Sequence, residues 1–252
     1  MPHYRTTFLK QVILRLDFNR LAVLQTDAET PFTVDMRGRY PDVTSNAATM
    51  IQVVMAQGGA AHLGQQGMGW LRVHKAQGTP RTVTLAPDWV AIEYGEGAYH
   101  HFDELREQVA FVLGSFRNRF GQVQFTRIGL RYVNEITRPE GSALDWNGLI
   151  NPDLVTSVKA GLLDGARMAR SVHHLVAQKE DVSVILNYGI NNPDYPNPVA
   201  RRQFVLDLDC YVSGLIESAE AEQRMTDVNR TAEEIFEHSI EPGLRDIMGI
   251  VQ

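Results

Sequence analysis

The sequence predicts an α+β fold of mostly antiparallel sheets with two long amphipathic helices, set out as two similar halves, residues 1–121 and 122–252, in one compact unit. Three features point there. Two long stretches space their apolar residues like helices, eight short segments alternate in polarity, and a constant offset relates the first half to the second.

The first helix is expected over 101–120, where Phe102, Leu105, Val109, Val112, Phe116 and Phe120 recur at steps of three and four. Asp103 and Glu104 fall in its first turn, Arg117 and Arg119 in its last, and Gly121 follows as a stop, as the helix dipole and C-terminal capping favour. A second helix over about 217–240 repeats the pattern with Met225, Val228, Ala232, Ile235, Phe236 and Ile240; Pro242-Gly243 should end it before a short last turn at 244–248. Strands are expected at 11–18, 68–74, 82–85 and 89–94, then at 125–136, 171–178, 182–188 and 204–212, from period-two alternation of β-branched and aromatic residues. The apolar phase slips between Phe125 and Ile128, which predicts a bulge at Thr126 or Arg127. Residues 151–161 read as an extra helix with Asn151 as cap and Pro152 in the first turn. An offset of 116 carries Leu14-Arg15 onto Leu130-Arg131 and the start of the first helix onto Ser218, which suggests duplicated halves, each a sheet with one helix on its face.

Composition excludes several classes. With 252 residues, 44% hydrophobic and 21% charged, the chain is neither fibrous nor disordered, and it can bury a core without a metal or disulfide. Its one cysteine, Cys210, cannot form an internal disulfide and suits a reducing compartment. The N-terminus lacks a signal-peptide core and no apolar run reaches membrane-span length, so a cytoplasmic location and no membrane association are expected. The net charge of −6 is uneven: residues 1–121 carry 12 bases against 11 acids, residues 122–252 carry 12 against 19, and 217–246 alone carry nine acids and three bases. Without a clustered basic face, nucleic-acid binding is disfavoured though not excluded.

Some residues stand out for their chemistry. Asp207 and Asp209, two apart on a strand, leave the same face and are the weak candidates for holding Mg²⁺ or Mn²⁺, or for catalysis alongside Arg131. The competing reading is a wet sheet face in which Arg131 pairs with one of these acids, and that is the preferred one. His100-His101 and His173-His174 cannot easily chelate one metal, because strand neighbours face opposite ways. HExxH, CxxC, GxSxG and the phosphate-binding glycine patterns are all missing, the glycine-rich stretch 57–70 matching none of them. Residues 187–202 hold three prolines, four asparagines, Tyr195 and Arg201-Arg202; this is an exposed loop, and Tyr195, Arg201 and Arg202 are the candidate binding residues.

Tyr4, the run from Phe8 to Phe18, Gly129-Leu130-Arg131-Tyr132-Val133-Asn134, Val205–Asp209 and Phe236–Ile240 together resemble a sporadically distributed, uncharacterised prokaryotic family of about this length. The Gly-Leu-Arg-Tyr-x-Asn block is the most specific part. The resemblance implies an association with mobile elements or phage defence and assigns no catalytic residues.

These readings lead first to a non-enzymatic protein that binds another macromolecule, as a symmetric homodimer or a subunit of an assembly, with no cofactor. The alternatives are a metal-dependent phosphodiesterase or nucleotide-processing enzyme using Asp207 and Asp209, and an RNA-binding subunit of ferredoxin-like type.

Overall fold

In order along the chain, the strands are β1 (His3–Tyr4), β2 (Leu9–Phe18), β3 (Asp42–Met50), β4 (Val53–Met55), β5 (Ala61–Leu63), β6 (Gly67–Lys75), β7 (Arg81–Leu85), β8 (Trp89–Tyr94), β9 (Phe125–Thr137), β10 (Ser171–Lys179), β11 (Val182–Ile190), β12 (Gln203–Ile216) and β13 (Ile250–Val251). The helices are α1 (Pro31–Met36), α2 (Phe102–Phe120), α3 (Thr156–Lys159), α4 (Ala221–Ser239) and α5 (Pro242–Met248). The computed structural model describes residues 3–25, 30–50, 53–55, 61–63, 67–159 and 166–251.

Nine strands form one antiparallel sheet in the order β10-β11-β12-β9-β2-β8-β7-β6-β3. Its centre is the β2–β9 ladder, in which Leu14 lies opposite Leu130 and Ile13 opposite Arg131. Alternation sorts the two faces. Val12, Leu14, Leu16, Ile128, Leu130, Val90, Ile92 and Cys210 are buried on one face, and α2 and α4 pack there through Leu105, Val109, Val112 and Phe116 and through Met225, Val228 and Ala232. Each large apolar side chain so buried contributes roughly 1.5–3 kcal/mol. The other face is lined by charge. A second apolar cluster, around Trp146, Phe204, Leu206, Ile190 and Leu244, holds α5 and the loop after β9 against the far ends of β11 and β12.

This architecture corrects the expected fold class. About 39% of the chain is strand and 28% helix, and the helical content is shared among three helices of seven residues or more, α2, α4 and α5, not carried by two long helices. The separate sheets expected for the two halves are replaced by one nine-stranded sheet that runs through both, beside two two-stranded sheets, β1-β13 and β4-β5. The physical reason is edge pairing: two sheets would leave β2 and β9 each with an unpaired row of backbone N–H and C=O groups, and joining them satisfies both rows at once.

Local details follow the residues. β2 pairs with β9 through a register shift at Asp17–Phe18 against Arg127–Phe125, which leaves Thr126 as the extra residue. His101 caps α2 by accepting from the Glu104 N–H at 3.1 Å. Asn151 accepts from the Asp153 N–H at 3.0 Å and opens a short 3-10 turn, Pro152–Leu154, followed by α3, in place of a single helix over 151–161; residues 160–165 lie outside the described residues. Half of the glycine-rich stretch at 57–70 also falls outside them; β5 lies within it and β6 begins inside it at Gly67. Strand β3 and helix α1 were not expected from the sequence. Among the described residues no helix is long and apolar enough to cross a membrane.

Two polar side chains sit on the apolar face of β6. Arg72 is 1% exposed and donates to the Leu24 carbonyl at 3.3 Å, while His74 is fully buried with its ring edge-on to Phe32. Neither ring nitrogen of His74 finds a partner among the described residues. Burial, helped by the Arg72 charge, lowers its pKa from 6.5 to about 4. The ring is neutral when folded, whereas the unfolded chain takes up a proton below pH 6.5, so its contribution is fully present above that pH and is lost as pH falls toward 4. The loss approaches roughly 3 kcal/mol at about 1.4 kcal/mol per pKa unit. Urea midpoints followed from neutral pH down to about pH 4.5 should fall more steeply for the native chain than for His74→Leu; equal slopes would show that another group is responsible.

Candidate functional site

The open face of the sheet gathers Asp207, Asp209 and Arg131, three of the residues that the sequence singled out, and adds Arg127 to them. Arg131 on β9 donates from Nε to Asp207 Oδ1 at 2.7 Å and from Nη2 to Oδ2 at 2.8 Å, the planar fork-to-carboxylate geometry. Asn187 Nδ2 also donates to Asp207, at 3.2 Å, and Asn187 Oδ1 accepts from His174 Nδ1 at 2.7 Å. Asp209 is taken by a different arginine: Arg127 Nη2 lies 3.1 and 2.9 Å from its two oxygens. Burial raises the Asp209 pKa above the ordinary carboxylate range, against the pull of Arg127 and Arg131.

Arg127 reaches Asp209 by lying flat over Gly129, where any Cβ would collide with the guanidinium. Its plane stacks on Tyr211 at 4.4 Å, and Nη1 is 3.8 Å from Asp17, which in turn holds Arg15 above Trp89. The glycine of the Gly-Leu-Arg-Tyr-x-Asn block is therefore a space requirement of this ladder. Both aspartates spend their oxygens on guanidinium groups, and no group of three metal-ligating side chains occurs among the described residues.

The loop candidates separate into different roles. Arg202 donates from Nε to the Asp145 carbonyl at 2.7 Å and from Nη1 to the Glu140 carbonyl at 2.8 Å, lies over the Trp146 ring, and so holds the loop after β9. Arg201 pairs within its own loop, Nε to Asp194 Oδ2 at 2.9 Å. Tyr195 stays 58% exposed, and Arg170, the residue before β10, sits over its ring and donates to Asn191 at 2.7 Å. The loop is thereby tied to the start of β10.

A cavity of about 490 Å³ opens where the start of α2 meets α4 over the sheet; none of the candidate catalytic, metal or binding residues lines it, whereas the His100-His101 pair does. Its floor is Tyr132, Asn134 and Leu208; its walls include Tyr99, Phe102 and Phe236; Tyr4, Glu233 and Glu237 stand around it. Tyr99 and Tyr132 hydroxyls are 3.0 Å apart, Tyr132 donates to Asn229 Oδ1 at 2.7 Å, and Asn229 Nδ2 donates to Glu233 Oε1 at 3.0 Å. Since the Tyr132 proton goes to Asn229, Tyr99 is the donor to Tyr132, and every proton in the chain points toward Glu233. Burial holds the Tyr99 and Tyr132 hydroxyls far above the usual tyrosine pKa, so both remain donors at neutral pH. Tyr4 is also raised, to about 12, by burial and by the Glu237 carboxylate that accepts its proton at 2.6 Å. The lining is drawn from several elements far apart in sequence, which hid it from spacing arguments. The one local signal was that Tyr132 and Asn134 belong to the block already singled out on β9.

The ion-pair reading of Asp207 makes a measurable distinction. Asp207→Asn leaves Arg131 without its partner on a half-buried face and should cost roughly 1–2 kcal/mol in urea denaturation. Millimolar Mn²⁺ should leave the melting temperature of the native chain unchanged; a metal-dependent rise that Asp207→Asn removes would contradict the ion-pair reading. Known proteins supply no outside guide to this site: no family model, curated protein or solved structure matches the chain.

Proposed function

We propose that the protein is a non-enzymatic binding protein that works as a symmetric homodimer, joined edge to edge through β10. The observation that carries this reading is the edge itself. β10 closes one side of the nine-stranded sheet and, among the described residues, pairs with β11 on one flank only. Val172, Leu175 and Val176 are 46%, 42% and 64% exposed, against the usual practice of charging or covering an open edge. The opposite edge, β3, shows no large exposed hydrophobic residue among the described ones.

The strand is complementary to a second copy of itself. An antiparallel pairing centred on Leu175 sets Leu175 against Leu175 of the partner, Ser171 against Lys179 and His174 against Val176, with Val172 diagonal to Val176 on the open face. The same register sets Arg170 opposite Glu180 at both ends. Arg170 uses one of its five N–H donors on Asn191, leaving others for a carboxylate. Tyr195, held beside Arg170, would then flank the joint, which gives the loop aromatic a place in the interface.

The reading of Asp207 and Asp209 as metal ligands is less favoured, since Arg131 and Arg127 occupy their oxygens. Size-exclusion chromatography with light scattering should give a dimer at micromolar concentration. Val176→Lys should shift it to monomer, and Arg170→Glu should weaken it, with Glu180→Arg in the same chain restoring it. A native chain that is monomeric throughout, or a dimer indifferent to all of these changes, would overturn the proposal.

A further inference from the structure

The cavity between α2 and α4 is not used by a β10 dimer, and its chemistry is specific enough to name a ligand class. We infer that it is a binding site for an organic amine: a positively charged nitrogen carried on an apolar or aromatic body.

The argument starts from the balance of charge. Glu237, at the rim, is neutralised by Arg245, whose Nε lies 3.1 Å from Oε2, and Asp103 is turned outward to Arg106. Glu233 is different. It is half-buried, accepts one hydrogen bond from Asn229, and has no cationic partner among the described residues. Among the described residues no lysine or arginine lines the cavity to supply one, and its two histidines are engaged at the start of α2, His100 Nδ1 with the Glu104 carboxylate at 3.1 Å and His101 Nδ1 accepting from the Glu104 N–H. A carboxylate in such a place is costly without a counter-charge, and an incoming cation would provide it.

The walls select the rest of the ligand. Tyr99 and Tyr132 meet edge to face at 5.7 Å, and with Phe102 and Phe236 they surround the space beside Glu233 with aromatic rings. Aromatic faces attract cations and tolerate hydrocarbon, so one pocket serves both ends of an amine. The start of α2 contributes only about half a unit of positive charge, and Asp103 and Glu104 in its first turn offset it, so an anion is the poorer fit. The volume, about 490 Å³, lies in the range of small-molecule sites and has room for a ring and a short chain.

The donor chain that ends on Glu233 has a consequence for selectivity. Asn229 engages one carboxylate oxygen, Oε1, and among the described residues Oε2 has no hydrogen-bond donor. A neutral alcohol could take that position but would bring no charge, and a carboxylic acid would be repelled.

Isothermal titration with three isosteric probes tests this: 2-phenylethylamine, 2-phenylethanol and phenylacetate. The expected order is amine first, alcohol weaker by about tenfold, the size of one charge-assisted contact, and no binding of the carboxylate. Glu233→Gln, which keeps the Asn229 hydrogen bond and should leave the melting temperature intact, should bring the amine down to the level of the alcohol. Equal affinity for the three probes, preference for phenylacetate, no amine binding at millimolar concentration, or unchanged affinity in Glu233→Gln would each overturn the inference. Because the dimer is read by light scattering and this site by titration, either can fail without the other.

Discussion

The pairing of β2 with β9 is the constraint on which the rest depends. Thirteen residues of β9 lie between β2 on one flank and β12 on the other, so the strand is buried in the middle of the sheet and its register fixes every side chain around it. On one face this ladder lays down Val12, Leu14, Leu16, Ile128 and Leu130 as the floor for α2 and α4. On the other it brings Arg127 and Arg131 beside Asp209 and Asp207. A slip of one residue would exchange the two faces, putting guanidinium groups under the helices and leucines in water.

Both sites discussed above are products of that register. The cavity exists because Tyr132 and Asn134 point to the helix side of β9 while Arg131 and Val133 point away, so the hydroxyl of Tyr132 can meet Tyr99 from before α2 and Asn229 from α4. The edge strand β10 exists because three consecutive antiparallel strands, β10, β11 and β12, extend the sheet outward from β9 with no further strand beyond them among the described residues. On the open face Arg131 pairs with Asp207 and Arg127 with Asp209, whereas Glu233 has no cationic partner among the described residues, and the outer flank of β10 has no strand partner among them. A site that is satisfied internally holds the fold; one that is left unsatisfied is where a ligand or a second chain has something to offer.

How much of this was legible in the residues follows from what is local and what is not. The strand at 89–94 and the stop of α2 at Gly121 depend on alternation and capping, which a few neighbouring residues determine. Charges inside an apolar strand also announce themselves, so an ion pair between Arg131 and one of Asp207 and Asp209 was legible; that the partner is Asp207, with Arg127 taking Asp209, depends on the register of the ladder. The assembly of strands into one sheet was not legible, because nothing in β2 states which distant strand covers its free flank; that choice is made by the whole set of unpaired edges. Strand β3, with its Asp42-Val43-Thr44-Ser45-Asn46 run, carries too little hydrophobic contrast to be seen, and α1 owes its form to Thr30 capping and the burial of Phe32 and Met36. The cavity was hidden for the same reason as the sheet order, since Tyr4, Tyr99, Tyr132 and Glu233 are brought together only by the fold.

Native-state hydrogen exchange tests the single-sheet account most directly. If β2 and β9 form the joint, their amides exchange last, by global unfolding, and with one common free energy on both sides of the ladder. Amides of β6, β7 and β8 opening independently of those in β10, β11 and β12, with β2 and β9 each following its own group, would mean two bodies in contact and would contradict it.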